Sequence, residues 1–199
     1  MKYIFDFDDV LFNNTEQFKK HMFRFITEAG VPLEVAQEYY YRPEVHGQEF
    51  SLRDFISRLF SQFGIKIPQG GVYEAIMVRC PEFVNTELVL ALKRIPRRDR
   101  YIVTNGQREF NMDKIKRSGI HELFDEENIF IVPRGKEEAI DEIRKRNADQ
   151  EMTFMDNRQD FLDGLPDYPN FRKILYKKER LPAIIREITG ERPSDLRVN

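Results

Sequence analysis

Three aspartates lie within four positions near the N-terminus, in the stretch IFDFDDVLF at residues 4–12. The apolar residues before Asp6 predict a buried strand that ends at this point. Carboxylates this close together beside an apolar core repel one another, so their ionisation is costly unless positive charge lies among them. Asp6, Asp8 and Asp9 therefore indicate a site that also contains a divalent cation, a lysine or both.

Polar residues also follow the later strand-like runs: Thr104 and Asn105 end RYIVTN, Lys136 follows NIFIVP, and Asp156 and Asp160 lie at and after the end of EMTFMD. The Thr104 hydroxyl and the backbone N–H groups after it could hold an anion. In an open parallel sheet, the carboxyl ends of the strands line the ligand crevice. We therefore expect acids, a hydroxyl and a lysine to converge on one edge of the sheet.

Short apolar runs rich in β-branched and aromatic residues recur along the chain, first at the N-terminus and then at 100–105, 128–133, 151–156 and 171–177. Helix-like stretches at 109–120 and 135–147 separate them, and the second has acids in its first turn and bases in its last. Strands that alternate with helices predict an α/β fold, with a Rossmann-like parallel sheet covered by helices on both faces.

Residues 13–85 break this alternation, because they contain amphipathic segments and no strand-like run between turn signals. Helices are predicted at 18–30, 52–64 and 72–80, and another at 86–95 leads back to the sheet. The predicted domains are an α/β core, residues 1–12 plus 86–199, and a helical cap, residues 13–85, inserted after the first strand.

One stretch of the predicted cap, YYYRPEVHGQEF at 39–50, combines tyrosines, an arginine and a histidine near a proline and a glycine. We interpret it as a loop. Two roles remain open for these side chains, recognition of a substrate or coverage of the core; the residues concerned are Tyr39, Tyr40, Tyr41, Arg42 and His46.

Composition narrows the class of protein. The chain has 199 residues, of which 41% are hydrophobic and 33% charged, as in soluble globular proteins. A net charge of −2 argues against a nucleic-acid surface, and the single cysteine, Cys80, favours a reducing compartment. The chain starts without a secretory signal pattern and has no apolar run as long as a membrane span. We therefore expect a cytoplasmic protein without nucleic-acid or membrane partners.

Taken in order, the segments FDFDDVL, IVTN, GKEEAI and FMDNRQD resemble the motifs of the haloacid dehalogenase superfamily. That superfamily has a strand ending in DxDx(T/V), a Thr or Ser after the second strand, a Lys, and a late acidic pair. The resemblance spans nearly the whole chain and includes the inserted helical cap. One departure is Asp9, which stands where the family often has glycine.

The resemblance implies a role for each matching residue. Asp6 would be the nucleophile and Asp8 the general acid and base, while Thr104 and Lys136 would bind the phosphate. Asn105, next to Thr104, is a further candidate phosphate ligand. Mg²⁺ would be the cofactor, with four candidate ligands: Asp6, Asp8 through its backbone carbonyl, Asp156, and Asp160 directly or through water.

These roles predict a Mg²⁺-dependent phosphatase that hydrolyses a small phosphate monoester through an aspartyl phosphate. Three alternatives remain: a phosphomutase or other phosphotransferase, a metal-independent haloacid dehalogenase, and a binding protein without turnover. Asp8 argues against the dehalogenase, because the dehalogenases of this family are expected to have the motif DxY, with tyrosine at the position of Asp8. Arg134, Lys114 or Lys116 could replace Lys136 as the cation that binds phosphate. The sequence identifies neither the substrate, expected to be a small phosphorylated metabolite, nor the oligomeric state.

Overall fold

A computed structural model describes residues 1–42, 45 and 50–190 of the chain. Its centre is a five-stranded sheet in the order β3-β2-β1-β4-β5, and every neighbouring pair of strands is parallel. The strands are β1 Lys2–Phe5, β2 Arg100–Asn105, β3 Ile129–Val132, β4 Met152–Asp156 and β5 Phe171–Leu175. The predicted α/β class with a Rossmann-like parallel sheet is confirmed.

Helices connect the strands. Between β1 and β2 lie α1 Lys19–Glu28, α2 Leu33–Tyr40, α3 Leu52–Gln62, α4 Gln69–Met77 and α5 Thr86–Leu92. The later helices are α6 Arg108–Arg117, α7 Glu137–Arg146, α8 Gln159–Gly164 and α9 Leu181–Thr189. The predicted helices lie within three residues of these bounds at each end, so the apolar periodicity located them correctly.

Two clusters of apolar side chains cover the two faces of the sheet. Ile4, Val103 and Phe154 point to one face, where they pack against Ile140 and Ile143 of α7. The residues that alternate with them along the strands belong to the other cluster, together with apolar side chains of α5, α6 and α9. Because strand side chains alternate between faces, one sheet builds both cores, with helices on both sides.

The segment from residue 13 to residue 85, called the insertion below, contributes its apolar side chains to the second of these clusters. Its two connections to the core run side by side. The N–H of Asn13 donates to the carbonyl of Phe83 at 2.7 Å, and the N–H of Asn85 donates to that of Leu11 at 2.9 Å. We retain the division of the chain into an α/β core and a helical cap as a proposal.

The tyrosine-rich stretch differs from the predicted loop, because α2 includes Tyr39 and Tyr40. Tyr40 is buried against Phe23, Phe50 and Phe55, whereas Tyr41 is exposed. Arg42 binds Glu38 at 3.0 Å, one helical turn earlier. His46 lies outside the described residues. Tyr40 thus covers the core, which was one of the two roles left open.

Among residues 1–42, 45 and 50–190, no helix is both long enough and apolar enough to span a bilayer.

Candidate active site

The chain turns sharply after β1. The N–H of Asp6 still donates to the carbonyl of Met155 at 2.9 Å, as in the sheet. Beyond it, the N–H groups of Leu11 and Phe12 both donate to the carbonyl of Phe7 at 3.0 Å, which closes a compact turn. Asp6 and Asp8 therefore do not share one extended strand, and their carboxylates contact different cations.

Asp9 has a structural position in this turn. Its backbone is left-handed, with φ 60°, a conformation in which aspartate is more easily accommodated than most residues. Its carboxylate accepts hydrogen bonds from the N–H of Thr15 at 2.7 Å and from the Thr15 hydroxyl at 2.5 Å. Glycine also adopts this conformation readily, but the Asp9 carboxylate additionally ties the turn to the start of the insertion.

A buried lysine joins the first and fourth strands. The Nζ atom of Lys136 lies 2.8 Å from Oδ1 of Asp6 and 2.7 Å from Oδ2 of Asp156. All three side chains are almost inaccessible, and that of Lys136 is 3% exposed. The parallel order β1-β4 brings the ends of these strands together, and Lys136 enters from the start of α7. The structure therefore brings together Asp6, Lys136 and Asp156, three of the residues expected to converge at this edge of the sheet.

Burial sets the electrostatics of this cluster. Burial raises the pKa of Asp6 to about 6, against the opposing effect of Lys136, and the nearby Asp156 adds to the increase. Burial acts to lower the pKa of Lys136, but Asp6 and Asp156 outweigh it and raise the pKa above its ordinary value. Two carboxylates share one ammonium, so the fully ionised cluster has a net charge of −1, which favours a further cation.

A second lysine binds Asp8. Nζ of Lys114, on α6, lies 2.7 Å and 2.8 Å from the two carboxylate oxygens of Asp8. Lys114 is 1% exposed, and its ammonium lies 4.9–5.9 Å from the ring centres of four phenylalanines: Phe7, Phe12, Phe18 and Phe110. Such placement over aromatic rings favours a cation.

The sequence interpretation considered Lys114 only as a substitute for Lys136, although the two lysines bind different acids. The spacing of residues in and just after α6 indicates that Lys114 is buried. Phe110, Lys114 and Ser118 are four residues apart and all three are buried, with Asn111 and Ile115 beside them. A lysine on the buried face of a helix needs a partner, and here the partner is Asp8.

The loop after β2 holds the candidate phosphate ligands. Thr104 is buried at the end of the strand, and Asn105 borders a cavity. The side-chain amide of Asn111 donates to the carbonyl of Asn105 at 2.9 Å, which anchors the loop to α6. Oδ1 of Asn105 is buried and has no hydrogen-bond partner within the described part of the chain. Gly106 follows with φ 137°, a conformation open chiefly to glycine.

Asp160 lies apart from the buried cluster. Its carboxylate is 63% exposed and binds Arg158, whose Nε lies 3.0 Å away. Two residues, Asn157 and Arg158, separate the end of β4 at Asp156 from the start of α8. Asp156 and Asp160 therefore do not lie on one helical face, in contrast to the expectation from their spacing in the sequence. Asp156 instead accepts a hydrogen bond from the N–H of Arg158 at 2.8 Å.

The donor set fits a magnesium ion. Among residues 1–42, 45 and 50–190, no three acidic, histidine or cysteine side chains form a cluster that could hold a metal by themselves. Mg²⁺ usually takes one or two carboxylates and completes its octahedron with water and substrate phosphate oxygens. Asp6 and Asp156 supply two carboxylates with a surplus of negative charge, which satisfies this requirement.

A cavity of about 680 Å³ opens beside Asp8. It lies between the loop of residues 105–107, α6 and the insertion, which contributes Phe18, Lys19 and Tyr40. Ligand pockets commonly have about 300–1,000 Å³, so the space suits a small organic molecule. Asp6, two residues before Asp8 in the sequence, is buried with 6% of its surface exposed and does not border the cavity.

Comparison with protein-family models finds no match, and neither does comparison with curated proteins. Solved structures do match along nearly the whole chain. A proposed haloacid dehalogenase-like hydrolase from Burkholderia xenovorans LB400 has 16% identity and a TM-score of 0.67 over 96% of this chain and 88% of its own. A proposed HAD hydrolase from Bacillus subtilis, solved bound to magnesium, has 15% identity and a TM-score of 0.53 over 96% of this chain and 98% of its own.

A proposed β-phosphoglucomutase from Thermotoga maritima also matches, with 14% identity and a TM-score of 0.55 over 94% of this chain and 99% of its own. Identities this low establish shared architecture rather than shared chemistry. The matches agree with the α/β fold described above. The protein therefore has the fold of the haloacid dehalogenase-like hydrolases.

Proposed function

We propose that this protein is a Mg²⁺-dependent phosphatase that hydrolyses a small phosphate monoester through an aspartyl phosphate on Asp6. The observation that carries the proposal is the buried contact of Lys136 with both Asp6 and Asp156. Asp6 lies two residues along the chain from Asp8, which borders a cavity. A buried acid with a raised pKa beside a charged partner in a cleft is typical of functional sites.

In the first step, a carboxylate oxygen of Asp6 attacks phosphorus, and the bond from phosphorus to the leaving oxygen breaks. Asp8 gives its proton to that oxygen as the alcohol departs. In the second step, water attacks the aspartyl phosphate and Asp8 takes a proton from it. Phosphate leaves and Asp6 is regenerated, so atoms and protons balance over the cycle.

Other residues bind the charge that moves during transfer. Lys136 neutralises Asp6 and would also bind a phosphoryl oxygen, while Thr104 and the loop at Asn105 would bind the remaining oxygens. Asp6, Asp156 and the backbone carbonyl of Asp8 would hold Mg²⁺, which when bound would supply positive charge that offsets the negative charge of the phosphoryl oxygens. The insertion would act as the cap that excludes water and selects the substrate.

The test is a phosphate-release assay over a panel of small phosphate monoesters, with Mg²⁺ and with a chelator. We expect Asp6→Asn to lose activity by about a thousandfold or more, because the nucleophile is removed. The matched control is Asp167→Asn, an exposed aspartate bound to Lys173, which should retain full activity. Oxygen from labelled water should appear in the released phosphate.

Each alternative predicts a different result. Absence of phosphate release across the panel, with wild type and Asp6→Asn alike, would contradict the proposal. Halide release from 2-haloacids without a metal would favour a dehalogenase. Transfer of the phosphoryl group to another hydroxyl, without label from water, would favour a phosphotransferase. A protein that fails to bind beryllofluoride with Mg²⁺ would favour a role in binding alone.

A further inference from the structure

Besides Lys114, the insertion contributes a positively charged side chain, that of Lys19, to the wall of the cavity. Lys19 is the first residue of α1, and its half-buried side chain borders the cavity that reaches Asp8 and Lys114. Among residues 1–42, 45 and 50–190, no carboxylate oxygen lies within 4 Å of its ammonium group. The contact that the ammonium does make is with the ring of Tyr40, whose centre is 5.4 Å away.

The acids nearest to Lys19 already have other partners. Asp8 binds Lys114 through both oxygens, and Asp9 binds the N–H and hydroxyl of Thr15. Burial lowers the pKa of Lys19, although Asp9 and Asp8 oppose this effect. A partly desolvated ammonium without a bonded acid is costly for the free protein, and an anionic ligand would remove that cost.

The charge balance of the cavity points the same way. The charged side chains that border it within the described residues are Lys19, Lys114 and Arg134 on the positive side and Asp8 on the negative side. Lys136, which we assign to the transferred phosphoryl group, does not border the cavity. Lys114 pairs with Asp8, and Arg134 has an interaction of its own, so we assign to Lys19 the charge that would attract a negative charge on the part of the substrate that leaves.

Size gives a further reason. A cavity of about 680 Å³ is far larger than a phosphoryl group needs, so it has room for an organic leaving group that extends from Asp8 to the insertion. Apolar side chains of Phe18, Tyr40 and Phe110 form part of its wall. A leaving group with a short apolar or hydroxylated skeleton and an acid at its far end would match both the apolar wall and the ammonium group of Lys19.

We propose that Lys19 binds a second anionic group on the leaving group of the substrate, and that the substrates are therefore phosphate monoesters that carry an additional carboxylate or phosphate. This inference rests on the proposed phosphatase function and names its substrate class.

The kinetic test compares pairs of monoesters that differ chiefly in the second acid. 3-Phosphoglycerate is paired with glycerol 3-phosphate for the carboxylate, and fructose 1,6-bisphosphate with fructose 6-phosphate for the second phosphate. We expect wild type to prefer one of the doubly anionic members by about 10–100-fold in kcat/KM, the effect of a charged hydrogen bond. The pair that shows the preference identifies which acid is bound.

Variants then assign the preference to one side chain. Lys19→Gln should reduce kcat/KM about 10–100-fold more for the doubly anionic member than for its partner, mainly through KM. Lys19→Arg should restore much of the preference. Lys20→Gln is the matched control, since Lys20 is the exposed next residue of α1, and it should behave as wild type. The inference would be overturned if Lys19→Gln lowered kcat/KM equally for both substrates of a pair, or if wild type showed no preference within either pair.

A binding experiment separates this inference from the proposed function. Calorimetry with Asp6→Asn, which cannot form the aspartyl phosphate, measures the affinity for the same four compounds without turnover. Tighter binding of a doubly anionic member, lost in the double variant Asp6→Asn with Lys19→Gln, supports the Lys19 site even if hydrolysis fails. Equal affinities within both pairs would overturn it even if hydrolysis succeeds.

Discussion

Nζ of Lys114 lies 2.7 Å and 2.8 Å from the two carboxylate oxygens of Asp8, across 106 positions of sequence. The contact joins the turn after β1 to α6 on one face of the sheet. It also determines how Asp8 faces the cavity, because both of its oxygens are engaged. Lys114 is therefore a positioning residue for the proposed general acid and base.

Replacement of Lys114 by methionine should preserve the helix and remove the contact. We expect Lys114→Met to lower kcat about 10–100-fold with a smaller change in KM, and to destabilise the protein by about 1–3 kcal/mol, since Asp8 loses its charged partner. Steady-state kinetics and urea unfolding measure both effects. Lys116→Met, at an exposed position of the same helix, is the control. Equal kinetics in both variants would contradict the role.

Removal of Lys136 should leave Asp6 and Asp156 buried without their shared cation. We expect Lys136→Met to destabilise the metal-free protein by about 3–5 kcal/mol, as for other broken buried ion pairs. Mg²⁺ should recover part of this loss, because it replaces positive charge between the same carboxylates. Chemical unfolding with and without Mg²⁺ gives the comparison, and the exposed Lys145→Met on the same helix is the control. A loss below about 1 kcal/mol would show that Lys136 does not neutralise the cluster.

The two late acids should differ in their effect on the metal. Asp156 is fully buried against Lys136, whereas Asp160 is exposed and bound to Arg158. We expect Asp156→Asn to raise the Mg²⁺ concentration for half-maximal activity about 10–100-fold. Asp160→Asn should change it by less than about threefold, because exposed ion pairs contribute little. If both variants raised the required Mg²⁺ concentration to a similar extent, Asp160 would have to be counted as a Mg²⁺ ligand.

A side chain at Gly106 should disturb the loop that borders the cavity. A Cβ atom there would lie near the side-chain amide of Asn111, which anchors Asn105, and the φ of 137° disfavours other residues. We expect Gly106→Ala to cost about 1–3 kcal/mol and to lower activity. Gly71→Ala, in α4 with no atom near its Cβ position, should instead stabilise by about 0.5 kcal/mol. Thermal unfolding measures both changes, and equal effects would contradict this view of the loop.

His21 should make the protein less stable in acid. Burial lowers the pKa of His21 below 6.5, and the nearby Arg24 adds to this effect. The unfolded chain therefore takes up a proton before the folded protein does, so stability present above pH 6.5 falls as the pH decreases through this range. His21→Leu should weaken this dependence. Urea unfolding at several pH values from about 7.5 to 5 measures it, and parallel curves for the two proteins would refute the prediction.

The sequence by itself determined the layout of this protein. Alternating apolar runs predicted the parallel sheet and the helical insertion, because burial against a sheet or a helix leaves periods of two and 3.6 residues in the chain. The rule that strand ends meet at one edge predicted that Asp6, Asp156 and Lys136 would converge. These predictions depend on local pattern and on topology shared by all parallel sheets, so they need no knowledge of individual contacts.

Only the tertiary structure decided which charge meets which. From the sequence, Lys114 was only a possible substitute for Lys136, but the order β3-β2-β1-β4-β5 and the turn at Phe7 direct Lys136 to Asp6 and Lys114 to Asp8. Asp160 falls outside the cluster because the chain leaves β4 before α8 begins. Lys19 had no sequence signal. Contacts between residues a hundred positions apart depend on where each turn closes, and no local pattern contains that information.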